Sequence, residues 1–330
     1  MKSTRRITIK LPPLPTAWNK LTSREMEEVH RLMVKRQVNE VQYGEEKAGN
    51  LFKFDCFILF TGLKVLKRTS KDEKGDTVFF FRRRGWRYLF ERIPMRSWQI
   101  TQWIGSSLQF LDDPYRRTVC PYAYIRLYGK KLKAPSDLMT NLTHQQYTVA
   151  QNMLTLYWQA ASVADSLEKK GGSREAVREQ QRRIKQAKCR FLSALFTPSS
   201  LEVEVRTESS VRRVRRRVWA FEMAQVTANE WRFRRAADRM FPVMLQFFQS
   251  VQMYYSRIFP DLFTSSKSGK GKDYLLMEAE TMNAVMKYAG FTGYQDIYDS
   301  NAFFILGVLN NMSKEAKQIE EMNRKMKAKK

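Results

Sequence analysis

Residues Leu138 to Gly172 read LMTNLTHQQYTVAQNMLTLYWQAASVADSLEKKGG. Thr143-His-Gln-Gln146 has the form of a capping box: the Thr143 hydroxyl accepts from a free backbone N–H while Gln146 reaches back to the cap. Tyr147, Ala150, Met153, Leu154, Tyr157 and Trp158 then recur at helical spacing, so a long amphipathic helix is expected from Thr143 onward. The same pattern is used once before. NKLTSREMEEVHRLM (Asn19 to Met33) aligns with TNLTHQQYTVAQNML (Thr140 to Leu154), matching Leu21-Thr22 to Leu142-Thr143, Glu25 to Gln146 and Leu32-Met33 to Met153-Leu154. Pro15 and Pro135 precede the two copies.

The echo continues downstream. Leu59-Phe-Thr-Gly62 corresponds to Leu195-Phe-Thr-Pro198, Arg82-Arg-Arg-Gly-Trp86 to Arg215-Arg-Arg-Val-Trp219, and Trp98 to Trp231. Matches in the same order point to a degenerate duplication. One observation opposes it: the first Arg run follows an aromatic strand, whereas Val211, Val214, Val218 and Phe221 around the second fall at helical spacing. The expected fold is mainly α with one or two short β-hairpins, as two degenerate tandem modules plus a C-terminal helical unit. The expected division is a first helical module with a β-hairpin over 1–135, a related module over 136–264, and a linker with C-terminal helices over 265–330.

Within that frame a helix is expected from about Ser23 and another over the apolar Asn50–Gly62 region. The polar Ser70–Asp76 segment between Leu63–Leu66 and Thr77–Phe81 reads as the turn of a β-hairpin. Pro94 is well placed for a helix start, and Ile100, Trp103, Ile104, Leu108 and Leu111 form an apolar face. Val119 to Leu132 is Tyr-rich and interrupted by Pro121 and Gly129, a connecting layer without a clear assignment. Lys169-Lys-Gly-Gly-Ser173 is the clearest internal break, Leu201–Val205 alternates as a strand, and Pro242 opens a long apolar helix. Ser265–Lys272 reads as a flexible linker, and the polar end of the last helix is expected to leave the core and fray.

With 43% apolar residues and 13% aromatics the 330-residue chain is globular. Its formal net charge of +26 favours polyanionic partners: nucleic acid, an acidic protein or an anionic membrane. Cys56, Cys120 and Cys189 lack metal-ligand spacing and read as reduced, mostly buried thiols. No stretch has signal-peptide or membrane-span character, so a cytoplasmic location in a host cell, without membrane association, is expected.

Catalytic patterns are scarce. His30 and His144 have no His or Cys partner in sequence and read as helix-surface residues. Ser265-Ser-Lys-Ser-Gly-Lys-Gly-Lys272 lacks the spacing of a phosphate loop. Asp112-Asp113 has no second acidic cluster and fits a helix terminator better than a metal site. No enzyme activity, metal or cofactor is expected. The candidate polyanion site comprises Arg82, Arg83, Arg84 and Trp86, with Arg215, Arg216, Arg217 and Trp219. Arginine forks engage phosphate and an adjacent Trp offers a stacking face. The competing and simpler packing has both Trp fill the core while the Arg stems lie along the surface.

Leu14-Pro-Thr-Ala-Trp18-Asn-Lys-Leu-Thr22, Phe60-Thr-Gly-Leu-Lys-Val65, Asn141-Leu-Thr-His-Gln-Gln-Tyr147 and the terminal EAKQIEEMNRKMK (Glu315 to Lys327) run in order along the chain. Together they resemble a group of poorly characterised helical proteins of bacterial prophages, encoded near tail genes. The resemblance implies a non-enzymatic virion-assembly factor that binds another phage protein, such as a tail assembly chaperone for the tape-measure or another tail component. It defines no site residues. The alternative is a nucleic-acid-binding protein of a mobile element that uses its basic surface.

Overall fold

The computed structural model describes residues 12–71, 75–198, 201–207, 210–216, 221, 223–263 and 274–328. The chain is mainly helical, with short antiparallel strands, and forms two compact units, Met1–Arg117 and Thr118–Lys330.

The first unit opens with α1 (Ser23–Tyr43) and α2 (Glu45–Thr61). Thr22 caps α1 as expected: its hydroxyl accepts from the Glu25 N–H at 3.3 Å, and the Glu25 carboxylate accepts from the Thr22 N–H at 2.8 Å. Gly44, at φ 82°, joins the helices as a one-residue corner open to glycine but strained for other residues. The helices run back along each other, with Lys35 bonded to Asp55 at 2.6 Å and the Arg36 guanidinium over the Phe52 ring. Gly62, left-handed at φ 66°, ends α2 where expected.

Next come β1 (Leu63–Lys71), β2 (Thr77–Arg83) and β3 (Ile93–Arg96), an antiparallel sheet in the order β1-β2-β3. Phe79 and Phe81 point from β2 toward Phe54 of α2, with ring centroids 6.3 and 6.5 Å away. Phe81 is fully buried with Met26, Phe57 and Leu63. Pro94 lies inside β3, opposite Phe80, and α3 (Ser97–Ser107) starts three residues later than the Pro signal suggested. β3 is an edge strand, where a proline lacking an N–H is tolerated. Trp18 anchors the remainder: its indole N–H donates to the Asp113 carbonyl at 2.7 Å, and buried Arg117 donates to the carbonyls of Trp18 and Leu21.

The second unit begins with a hairpin of β4 (Tyr124–Leu127) and β5 (Lys130–Lys133), in the stretch left unassigned from sequence. Tyr128 (φ 48°) and Gly129 (φ 76°) give the two positive φ values of a type I′ turn, which matches strand twist. β5 also pairs with β6 (Thr197–Pro198). That pairing draws 118–135 into the second unit, so the compact units divide at Arg117/Thr118 and not at 135/136.

α4 (His144–Lys169) and α5 (Arg174–Leu195) form a long helical hairpin. Thr143 accepts from the Gln146 N–H at 3.2 Å, and Gln146 reaches back to the Thr143 N–H at 3.4 Å. The Gly171-Gly172 pair is the corner of this hairpin, not a domain break: Gly171 has φ 67° and the Gly172 N–H caps the Leu167 carbonyl at 2.7 Å.

β7 (Leu201–Thr207) is the expected strand, but its neighbour corrects the sequence reading: residues 210–216 form β8 (Ser210–Arg216), paired with β7, not a helix. Valines three apart satisfy a helical period, yet the antiparallel register sets Val203 opposite Val214, Glu202 opposite Arg215 and Glu204 opposite Arg213. Valine is a strand-favouring residue, and the backbone register itself identifies the strand. Arg82 and Arg83 in the first run, and Arg215 and Arg216 in the second, thus lie at the end of a β-hairpin that follows a helix pair, and the observation opposing a duplication falls away.

α6 (Met223–Phe233) and α7 (Ala237–Ile258) follow. α7 supplies the centre of the core through Met240, Phe241, Met244, Phe247, Phe248, Val251 and Tyr255. Pro242 sits in its second turn, not at its start. The missing N–H removes one bond to the Asp238 carbonyl, which the burial of Met240 and Phe241 offsets.

After α8 (Pro260–Phe263), the helices α9 (Tyr274–Ala289), α10 (Tyr294–Asp299) and α11 (Ala302–Ala328) complete the second unit. The Ser265–Lys272 linker lies outside the described residues. The His144 N–H donates to the Ser300 carbonyl at 2.7 Å and the Ala302 N–H to the Leu142 carbonyl at 3.0 Å, fastening this segment to the start of α4. Residues 314–327 of α11 are exposed, as expected of a polar end leaving the core, yet they remain helical. No described helix is long and apolar enough to cross a membrane.

Candidate nucleic-acid interface

The sequence RRRGWRYLFER (Arg82 to Arg92) occupies the end of β2 and the loop to β3. Strand alternation sends Phe79 and Phe81 to the helix side, so Phe80 and Arg82 belong to the opposite face. Opposite Phe80, β1 carries a bulge: Val65 pairs with Phe81 and Thr69 with Phe79, leaving Leu66, Lys67 and Arg68 against one residue. Bulges re-aim side chains and locally end pairing. Gly85, at φ 125°, turns the chain into a 3-10 turn at Trp86–Tyr88. A side chain there would be strained by that φ and would touch the Tyr88 ring at 3.6 Å.

Arg83 braces the loop. Its Nε lies 3.1 Å from each Glu91 oxygen, its Nη2 lies 2.6 Å from Oε1, and its guanidinium stacks 4.1 Å over the Tyr88 ring. The hydrogen bonds hold Glu91 below the usual carboxylate range and push Arg83 up. Both groups are solvent-accessible, so the pair fixes geometry more than it stabilises the fold. Arg82 donates to the Leu89 carbonyl at 3.2 Å.

What remains points outward. Trp86 is 87% exposed and Phe90 98% exposed, with Leu89 partly so. Arg84, Arg87 and Arg92 are exposed beside them. A cavity of about 430 Å³, lined by Leu66, Phe80, Leu89, Phe90, Glu91 and Arg92, opens next to the aromatics. The core-filling alternative for Trp86 is thus overturned. Burial of an indole needs a facing apolar layer, and α2 already spends its own on Phe79 and Phe81.

Of the eight sequence candidates, Arg82, Arg83, Arg84 and Trp86 meet in this loop, with Arg83 structural. Arg215 and Arg216 lie in β8, where their side chains are not described; Arg217 and Trp219 lie outside the described residues. Sequence reasoning missed Arg87, Phe90, Arg92 and the cavity. The signal was present in the alternation of Trp86, Tyr88 and Phe90 among arginines.

Other sequence features serve the fold. Asp112 accepts from Lys53 at 2.8 Å and Asp113 from Arg116 at 2.6 Å, so both carboxylates are engaged in ion pairs. His144 is buried, not on a helix surface: its ring stacks on Tyr298, and desolvation pulls its pKa down to about 4. Burial raises the thiols of Cys56 and Cys189, the latter to about 11, leaving both poor nucleophiles. The Arg82–Arg92 loop therefore offers recognition chemistry: cationic forks, two open π faces and an apolar recess. Comparisons with protein families, with curated proteins and with solved structures find no match for this chain.

Proposed function

We propose that this is a binding protein whose first unit engages single-stranded nucleic acid through the Arg82–Arg92 loop. The observation that carries this reading is the exposure of Trp86 and Phe90 among the exposed guanidinium groups of Arg84, Arg87 and Arg92. Exposing two large aromatics to water forgoes their burial energy, which a free surface has no reason to do. Unstacked bases supply π faces for them, and phosphates supply the anions that guanidinium forks grip in pairs. A duplex hides its bases and fits less well. The expectation of a phage assembly factor rests on short sequence resemblances alone, whereas the nucleic-acid alternative gains this geometry.

The test uses the full chain with a fluorescent oligo(dT), a matching duplex and anionic phospholipid vesicles. Oligo(dT) is expected to bind more tightly than duplex, with log affinity falling linearly with log salt. Trp86→Ala should weaken binding by about 1–3 kcal/mol without altering the salt slope, because stacking is lost and charge is not. Replacing Arg84, Arg87 and Arg92 by Gln should flatten the slope by about 0.7 per phosphate contact removed. Binding insensitive to Trp86→Ala, or confined to the vesicles, would sink the reading.

A further inference from the structure

A second surface, in the other unit, has different chemistry. Along α4, Met153, Leu156, Ala160 and Val163 fall at spacings of three, four and three, so they share one helix face. Along α5, Gln180, Arg183, Ala187 and Arg190 repeat those spacings. The two rows flank a groove of about 520 Å³. Ala160 and Ala187 are buried and carry only a methyl group, so a third helix could approach closely between them. Leu156 and Val163, 48% and 45% exposed, leave apolar surface in water along one side.

The charge around this groove selects the occupant. α5 carries seven Arg or Lys residues against two Glu; Arg183 and Arg190 line the groove itself, and Arg190 is bonded to Glu230 at 2.9 Å, which leaves Arg183 as the principal contact. Arg183 meets Glu179 at 3.3 Å, but both are well exposed, so that pair is weak competition for an incoming carboxylate. The chain's own exposed amphipathic stretch on α11, with Ile319, Met322 and Met326, sets Lys314, Lys317, Arg324, Lys325 and Lys327 against Glu315, Glu320 and Glu321, so it is net positive even though Lys317 meets Asp261 and Lys325 meets Glu321. Like charge therefore disfavours a second copy, as does the net charge of +26.

We infer that the α4–α5 groove is a docking site for an acidic amphipathic helix of another protein. Met153 to Val163 spans about 15 Å, so roughly three helical turns lie along it. Apolar side chains of the guest at i, i+3 or i+4, and i+7 fill the groove, and its Asp or Glu flank faces Arg183 and the α5 basic row. This interface is independent of the nucleic-acid loop.

The probe is a fluorescein-labelled synthetic helix with Leu at those positions and Glu on its flank. Two controls accompany it: the same composition in scrambled order, and a version with Lys in place of Glu. Anisotropy with the full chain should show the acidic amphipathic peptide binding about tenfold or more tightly than either control, a difference of about 1.4 kcal/mol. Leu156→Glu with Val163→Glu, at exposed positions, should abolish the preference while thermal melting and oligo(dT) affinity stay unchanged. Arg183→Glu should weaken the acidic peptide and improve the Lys version. Equal binding of the scrambled peptide, or indifference to all three substitutions, overturns the proposal. So does wild-type self-association in sedimentation that Leu156→Glu removes, because the occupant is then a second copy.

Discussion

The imidazole of His144 sits at the first turn of α4, almost wholly buried, with no hydrogen-bond partner on Nδ1 among the described residues. A protonated ring there would lose hydration and gain no compensating acceptor, which is why its pKa falls to about 4. The unfolded chain takes up this proton below about pH 6.5 and the folded chain does not. Stability is thus fully present above that pH and is lost as pH falls toward 4, by up to about 3 kcal/mol. Urea titrations at pH 7 and pH 5 should show a larger loss for the parent than for His144→Leu. Parallel losses would assign the acid sensitivity to other groups. Nothing local in Thr-His-Gln-Gln distinguishes a surface histidine from a buried one; the covering ring of Tyr298 arrives from more than a hundred and fifty residues away. Trp86 shows the converse. Arg-Arg-Arg-Gly-Trp reads alike for a core or an exposed indole, and only the occupancy of the α2 face decides.

At the scale of elements, the two capping boxes use different third residues for a reason visible in their surroundings. Glu25 is only half-buried and serves as a carboxylate, whereas Gln146 is 5% exposed. An amide there both accepts from the Thr143 N–H and donates through Nε2 to the Ala194 carbonyl at 2.9 Å, tying the start of α4 to the end of α5. Thr143→Ala should cost about 1 kcal/mol, the usual worth of a cap. Gln146→Leu should cost more, about 2–3 kcal/mol, because it strands two buried backbone groups. Denaturant midpoints measure both, and a milder effect for Gln146→Leu would contradict the tie. Capping boxes were legible because Thr22 and Thr143 act on residues three positions away. The β1–β2 hairpin was legible because its turn is polar and its strands aromatic. β3 has only four residues, and β8 presents Val211 and Val214 three apart, a helical spacing that in a strand falls on opposite faces, so only pairing with β2 and β7 identified them.

For the molecule as a whole, each unit holds its own apolar interior. The first is built on Trp18, Met26, Phe52, Phe57 and Phe81, the second on the α5 and α7 aromatics. Residues 1–117 and 118–330 are each expected to fold when expressed alone. Cooperative thermal melts and dispersed amide NMR spectra would bear this out, and a non-cooperative melt for either would refute it. Both units also run helix pair, β-hairpin, arginine run, helix, with Trp98 on α3 and Trp231 on α6 similarly exposed. That shared order parallels the matched Leu-Thr pairs, although the second unit opens with an additional hairpin, β4–β5.

The sheet of the first unit has a further consequence at its margins. An uncovered strand edge is a template on which another chain can extend the sheet, the first step toward aggregates. β1, at one edge, is bulged opposite Phe80 and carries the exposed Lys64 and Lys71, so an incoming strand meets broken register and positive charge. β3, at the other edge, is four residues long and contains Pro94, which has no N–H to offer. Strand addition is blocked at both margins. This sheet can thus sit beside the open Trp86 and Phe90 without offering its backbone for polymerisation, which confines the sticky surface there to side chains.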